Sequence, residues 1–123
     1  MRKSTEILWL PKPEAHDYSA AESYLCLTYD ESNAKRLVQK LRRAPISRFK
    51  AKDMFRASGL SLLGVSNSHV EKDRKKIQNG NELSPLLLVR DQANGKVIVA
   101  DGYHRLCAVY SLYEDVLIPC KIV

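Results

Sequence analysis

The residues of this chain whose types and order can do chemistry are Asp101-Gly102-Tyr103-His104-Arg105, which follow the apolar run Val97-Ile98-Val99-Ala100 and lead into Leu106-Cys107-Ala108. A strand that ends in polar and permissive residues and then winds into a helix leaves the first helical amides without internal partners, beside the positive end of the helix dipole. A phosphate seated there gains charge-assisted hydrogen bonds, and Gly102 lets the backbone come close to it. Arg105 offers a planar fork for two phosphate oxygens, His104 can donate or exchange a proton, and Asp101 can accept from a sugar hydroxyl or hold Mg²⁺. In an enzyme, Arg105 and the helix-start amides would stabilise charge on a transferred phosphoryl group, Asp101 would position Mg²⁺ or a hydroxyl, and His104 would move the proton. The opposing reading makes Asp101 an ordinary helix cap, His104 and Arg105 solvated first-turn residues, and Gly102 a turn glycine.

Three further groups stand apart from that turn. Lys50 and Lys52 lie at a predicted strand-to-helix junction and can frame a phosphate from the side; Lys52 and Arg56 share a helix face at i,i+4. His69, Asp73 and Lys76 form a stripe at i,i+4 and i,i+3, with a cap-proximal polar turn as the plain alternative. His16-Asp17-Tyr18 is an acidic and aromatic cluster in a predicted loop, a lid if it folds back over the site although nothing in the sequence places it there, whereas Trp9 among Ile7, Leu8 and Leu10 is expected to anchor the N-terminal segment on the core.

The elements that must position these groups follow from caps and periodicity. Ser19-Ala20-Ala21-Glu22 fits a capping box and predicts a short helix to about Thr28. Asp30 or Ser32 starts the next helix, whose Ala34, Leu37, Val38 and Leu41 recur at helical spacing until Ala44-Pro45. Residues 46 to 50 read as a strand and 52 to 58 as a helix closed by Gly59, while the apolar stretch 60 to 65 is expected to pack down as a covered connection. Ser68-His69-Val70-Glu71 fits a second capping box, opening a helix through Ile77 that Asn79-Gly80 closes. Leu86 to Val89 and Val97 to Ala100 form an antiparallel hairpin around a turn with Gly95; a helix follows Tyr103, and a last strand spans 116 to 123 with Pro119 near its start or on a sheet edge. The fold class is mixed α/β, a small mixed sheet packed with helices. Residues 1–123 make one domain, with 1–44 as a helical N-terminal extension and 45–123 as the core.

Composition agrees with one such domain. The 123 residues are 45% hydrophobic and 28% charged, which excludes a disordered or collagen-like chain. Cys26, Cys107 and Cys120 are odd in number and widely spaced among apolar neighbours, so each is expected to be a buried thiol, with no disulfide framework or zinc pair. No apolar run suits a signal peptide or a membrane span, giving a cytoplasmic expectation with no membrane partner. Of the net charge of +6, residues 35 to 56 carry nine basic side chains against Asp53 alone, a local +8 that can attract the phosphates of nucleic acid.

The turn Gly102-Tyr103-His104-Arg105, extended to G-x-x-R-x-x-A by Ala108 and preceded by Leu83-Ser84-Pro85-Leu86-Leu87-Leu88-Val89, a hairpin and Asp101, resembles that of the ParB/sulfiredoxin-like superfamily. The resemblance covers residues 83 to 123 in detail and 45 to 123 loosely. It implies a fold whose G-x-x-R turn holds the phosphates of a nucleoside di- or triphosphate with Mg²⁺, here through Gly102, Tyr103, His104 and Arg105. His104 stands where the sulfiredoxin G-C-H-R motif has histidine, and Asp101-Gly102 looks like the start of the D-G-H-T-R motif of the serine kinases. Tyr103 stands where sulfiredoxin has its nucleophilic cysteine, so sulfinic-acid reduction is not expected. The chain stops at Val123 after its last strand, so a DNA-reading helix-turn-helix or dimerisation domain is not expected in it.

The leading expectation is therefore a nucleotide-binding protein, a phosphotransferase or nucleotide hydrolase if it is an enzyme. The alternatives are a DNA-binding or nuclease-like ParB-related protein using residues 35–56, and a non-enzymatic partner or immunity-type component; a protein partner or a homodimer is compatible with each. Arg105 paired internally on a closed surface would favour the last of these.

Overall fold

The computed structural model describes residues 6–64 and 66–123. Pro13 and Glu14 set the start of helix α1 (Ala15–Leu25), where the Asp17 carboxylate accepts from the Glu14 backbone N–H at 2.9 Å. That reciprocal first turn moves the start four residues ahead of the Ser19 box, so Ser19 and Glu22 lie inside the helix and residues 15–18 are its first turn, not a loop. Asp30 caps α2 (Glu31–Arg43), accepting from Asn33 N–H at 2.7 Å, and the helix buries Ala34, Val38 and Leu41 before it ends at Ala44.

Strand β1 (Ser47–Lys50) runs directly into α3 (Ala51–Ser58), which Gly59 closes at φ 65°. The next helix, α4 (Ser68–Gln78), is capped by Asn67, whose side chain accepts from the His69 and Val70 amides at 3.0 and 3.2 Å. Ser68 is thus the first helical residue and not the cap. Strand β2 (Leu86–Asp91) turns through one 3-10 turn and Gly95 at φ 63° into β3 (Lys96–Asp101). Helix α5 (Tyr103–Leu112) and strand β4 (Leu117–Ile122) complete the chain.

The sheet order is β1-β4-β2-β3, with β4 antiparallel to β1 and parallel to β2. The last strand is therefore interior, contrary to an edge position for Pro119. Pro119 faces Arg48, and the parallel register with β2 begins one residue later, at Cys120 opposite Leu86. Because the sheet is covered on both faces, Leu86 to Val89 are all buried and read as a continuous apolar run. Leu86 and Leu88 join the core beneath α3, α4 and α5, while Leu87 and Val89 join Tyr18, Ala21, Leu25, Val38 and Leu41 of α1 and α2. Helices thus lie on both sides of a mixed sheet.

The N-terminal segment is pinned as Trp9 predicts. Leu10 N–H donates to Leu83 O at 2.8 Å, Leu83 N–H donates to Leu8 O at 2.9 Å, and Trp9 packs on the core. Two further expectations are corrected. The connection after α3 is not covered, since Leu60 and Leu62 are exposed and only Leu63 packs against the core; Val65 lies outside the described residues. Cys26, at the end of α1, is exposed where a buried thiol was expected, because no element among the described residues packs over it; Cys107 and Cys120 are buried, and burial pushes the Cys120 thiol up to about 12. No helix among the described residues is long and apolar enough to cross a membrane.

The two cap assignments for α4 are separable. Asn67→Ala is expected to cost about 1 kcal/mol of stability in chemical denaturation, and Ser68→Ala no more than a few tenths.

Candidate functional site

Strand β3 delivers Asp101 to the end of the sheet, and Gly102 turns the chain at φ 106° into α5. Only glycine fits there. A Cβ at this position would lie 2.7 Å from Leu86 Cγ and 2.8 Å from Arg105 Nη2, on a backbone that L-residues rarely adopt. No side chain caps α5, so its first amides are left for solvent or a ligand.

The guanidinium of Arg105 folds back across Gly102. Its Nη2 donates to Asp101 Oδ2 at 3.0 Å and reaches Pro85 O at 3.5 Å, and its Nε is buried without a partner. Burial pushes the Asp101 carboxyl above its ordinary range; the nearby Asp17 carboxylate pushes in the same direction, and Arg105 pulls against both. Asp17 is itself buried in the first turn of α1, with His16 Nε2 3.4 Å from its Oδ1. The predicted loop lid is thus a helix turn that meets the end of β3 from the opposite side.

The stripe on α4 faces the same turn. The rings of His69 and His104 lie 4.8 Å apart, and His69, Lys72, Asp73 and Lys76 line a depression of about 190 Å³ together with residues 101 to 105. Burial holds the His104 imidazole below its usual pKa, and the neighbouring His69 and Arg105 add to that against Asp73. Burial likewise pushes the Asp73 carboxyl up, opposed by Arg105, Lys76, His104 and Lys72. Asp73 makes no ion pair among the described residues. The Tyr103 hydroxyl donates to Ser61 O and so ties the start of α5 to the exposed connection after α3.

Asp101, Gly102, Tyr103, His104 and Arg105 are thus brought together. Lys50 and Lys52 are not brought to them: Lys50 is exposed on β1, Lys52 pairs with Asp115 at 2.7 Å, and neither lines the depression. The lysines that line it, beside Arg105, are Lys72 and Lys76. Lys72 escaped the sequence reading, although its i+3 spacing from His69 places it on the same stripe. The contribution of Asp17 carried no local signal, because it arises from packing α1 against the end of β3.

For a metal, Glu14, His16 and Asp17 each bring one ligand atom within 4.8 Å of the others, but Asp17 already accepts from Glu14 N–H and the other two are exposed. Asp101 is engaged by Arg105, so Asp73 is the carboxylate in the depression left to meet a cation. Comparison with protein-family models, with curated proteins and with solved structures finds no match for this chain. What it does rests on its own geometry.

The direction at Asp73 has a measurable sign. A carboxyl with a higher pKa folded than unfolded favours the folded state fully below its ordinary value of 3.8, and that contribution is lost as pH rises through the raised value. Asp73→Asn stays neutral throughout. Its melting temperature is therefore expected to exceed that of the wild type at neutral pH, with the gap closing as pH falls toward 3.8, as followed by thermal unfolding across pH.

Proposed function

We propose that the chain binds a nucleotide through its phosphates, seated between the uncapped start of α5 and the α4 stripe. The observation that carries this reading is the convergence of Lys72, Lys76, His69, His104 and Arg105 on one polar depression at the uncapped start of α5. Small-molecule sites commonly run from roughly 300 to 1,000 Å³. A depression of about 190 Å³ therefore suits phosphoryl groups, with sugar and base lying beyond it. The G-x-x-R resemblance supports the same ligand.

Arg105 is internally paired, as a purely structural turn would also have it. Lys72 and Lys76 support the ligand reading, because they add positive charge beside the turn. Mg²⁺ accompanying the phosphates would be met by Asp73. In a transfer or hydrolysis reaction His104 is the group for proton movement, since its lowered pKa keeps the imidazole neutral and able to accept a proton near pH 7.

Thermal unfolding with ATP, ADP, CTP and GTP plus Mg²⁺ tests this. At least one nucleotide is expected to raise the melting temperature, and the double variant Lys72→Ala/Lys76→Ala should lose most of that rise while keeping its own transition. These lysines are the better probes, because removing Arg105 would leave Asp101 without its cation. No shift with any nucleotide would end the reading.

A second reading keeps residues 35–56 as a nucleic-acid surface. Lys35, Lys52 and Arg56 are neutralised by Glu31, Asp115 and Asp53, yet Arg36, Lys40, Arg43, Arg48 and Lys50 are exposed and make no ion pair among the described residues. Single-stranded DNA or RNA should then bind with an affinity that falls steeply between 50 and 200 mM salt in a titration series; binding insensitive to salt would count against it.

A further inference from the structure

The largest cavity described here lies on the other side of the sheet from α4 and shares no residue with the depression at α5. It measures about 750 Å³ and is walled by Leu10, Pro11, Pro13, Tyr18, Arg42 and Lys121, with Lys12 and Glu14 at its margin. That volume falls in the usual small-molecule range of roughly 300 to 1,000 Å³.

Lys121 is the informative residue. It alternates along β4 with Ile118 and Cys120, which join the opposite core, and so projects toward α1 and α2, where its neighbours on β2 are Leu87 and Val89. Only 9% of it is exposed. Its ammonium donates to the Arg42 carbonyl at 2.7 Å, in the last turn of α2, and makes no ion pair among the described residues. An ammonium has three donors, and one carbonyl at a helix end uses one of them. Two donors of the ammonium are therefore left for water or an anion in the cavity.

A second cation shares the wall. The Arg42 guanidinium stands 4.4 Å from the centroid of the Tyr18 ring, with the Lys121 Nζ 5.8 Å from the same centroid. The one carboxylate in the wall, Glu14, already accepts from Ser84 Oγ at 3.0 Å. Lys12, Arg42 and Lys121 therefore outweigh Glu14 over a floor of leucine, prolines and tyrosine.

We propose that this cavity is a second ligand site, taking a small organic anion: a carboxylate or phosphate monoester carried on an apolar or aromatic body. The anionic group would meet Lys121 and Arg42, which Tyr18 supports from beneath, and the body would lie on Leu10 and Pro11. This site stands independently of the phosphate seat at α5.

Phenyl phosphate and benzoate are the probes, with phenol as the neutral control and inorganic phosphate as the control without a body. Both aromatic anions are expected to shift the amide resonances of Tyr18, Arg42 and Lys121, and to bind at least about tenfold more tightly than phenol by calorimetry. Lys121→Met keeps the length of the side chain without its charge and should remove most of that preference; Arg42→Gln, at an exposed position, should reduce it even where Lys121→Met folds poorly. The proposal is overturned if the aromatic anions perturb only residues 102 to 105, if phenol binds as well as they do, or if Arg42→Gln leaves the preference intact.

Discussion

The ion pair between Arg105 and Asp101 crosses the one backbone position in the chain that requires a glycine for space as well as for conformation. Gly102 is held between Leu86 and the guanidinium, so the strand end, the helix start and the entry to β2 meet in a single contact. Arg105 is the one ion-pair partner of Asp101 among the described residues, and the Asp17 carboxylate stands close by. Removing Arg105 would leave the Asp101 carboxylate without its cation. The contact across Gly102 also fixes the direction of α5, and with it the line along which the first amides of that helix point.

The sheet separates two chemically different surfaces. On the side of α3, α4 and α5 the core is apolar, and the polar groups collect where α4 passes the start of α5. On the side of α1 and α2 the core is smaller, and at its border β4 places a lysine in line with leucines. Covering both faces is what allows one short domain to present two separate concavities. The helices before Pro45 form one wall of the fold, since Tyr18, Ala21, Leu25, Val38 and Leu41 share a cluster with Leu87 and Val89.

Much of this was legible wherever the physics is local. Asp30, Gly59, Asn79-Gly80 and Gly95 act as caps and turns because their own side chains, or the lack of one, decide the backbone there. The two capping boxes were misplaced for a related reason: Ser19 and Ser68 are good caps, but Glu14 with Asp17 and Asn67 were available ahead of them, and in α1 the earlier start brings the buried Asp17 and Tyr18 into the helix. Interior placement of β4, the exposure of Cys26 and the meeting of Asp17 with Asp101 depend on which elements pack together, and no window of neighbouring residues contains that. The His69, Asp73 and Lys76 stripe was visible as a stripe, but its facing α5 was not.

Strand β4 joins two parts of the sheet that otherwise have no hydrogen bonds to each other, β1 on one side and the β2–β3 hairpin on the other. During synthesis the first hundred or so residues can form helices and the hairpin, but the sheet cannot close until residues 117–122 have cleared the ribosome. Until then Leu86, Leu88, Ile77 and Met54 have no Ile118 or Cys120 to pack against. The nascent chain therefore carries a sticky half-built sheet until β4 has emerged, and holding that intermediate apart from its neighbours falls to the cell.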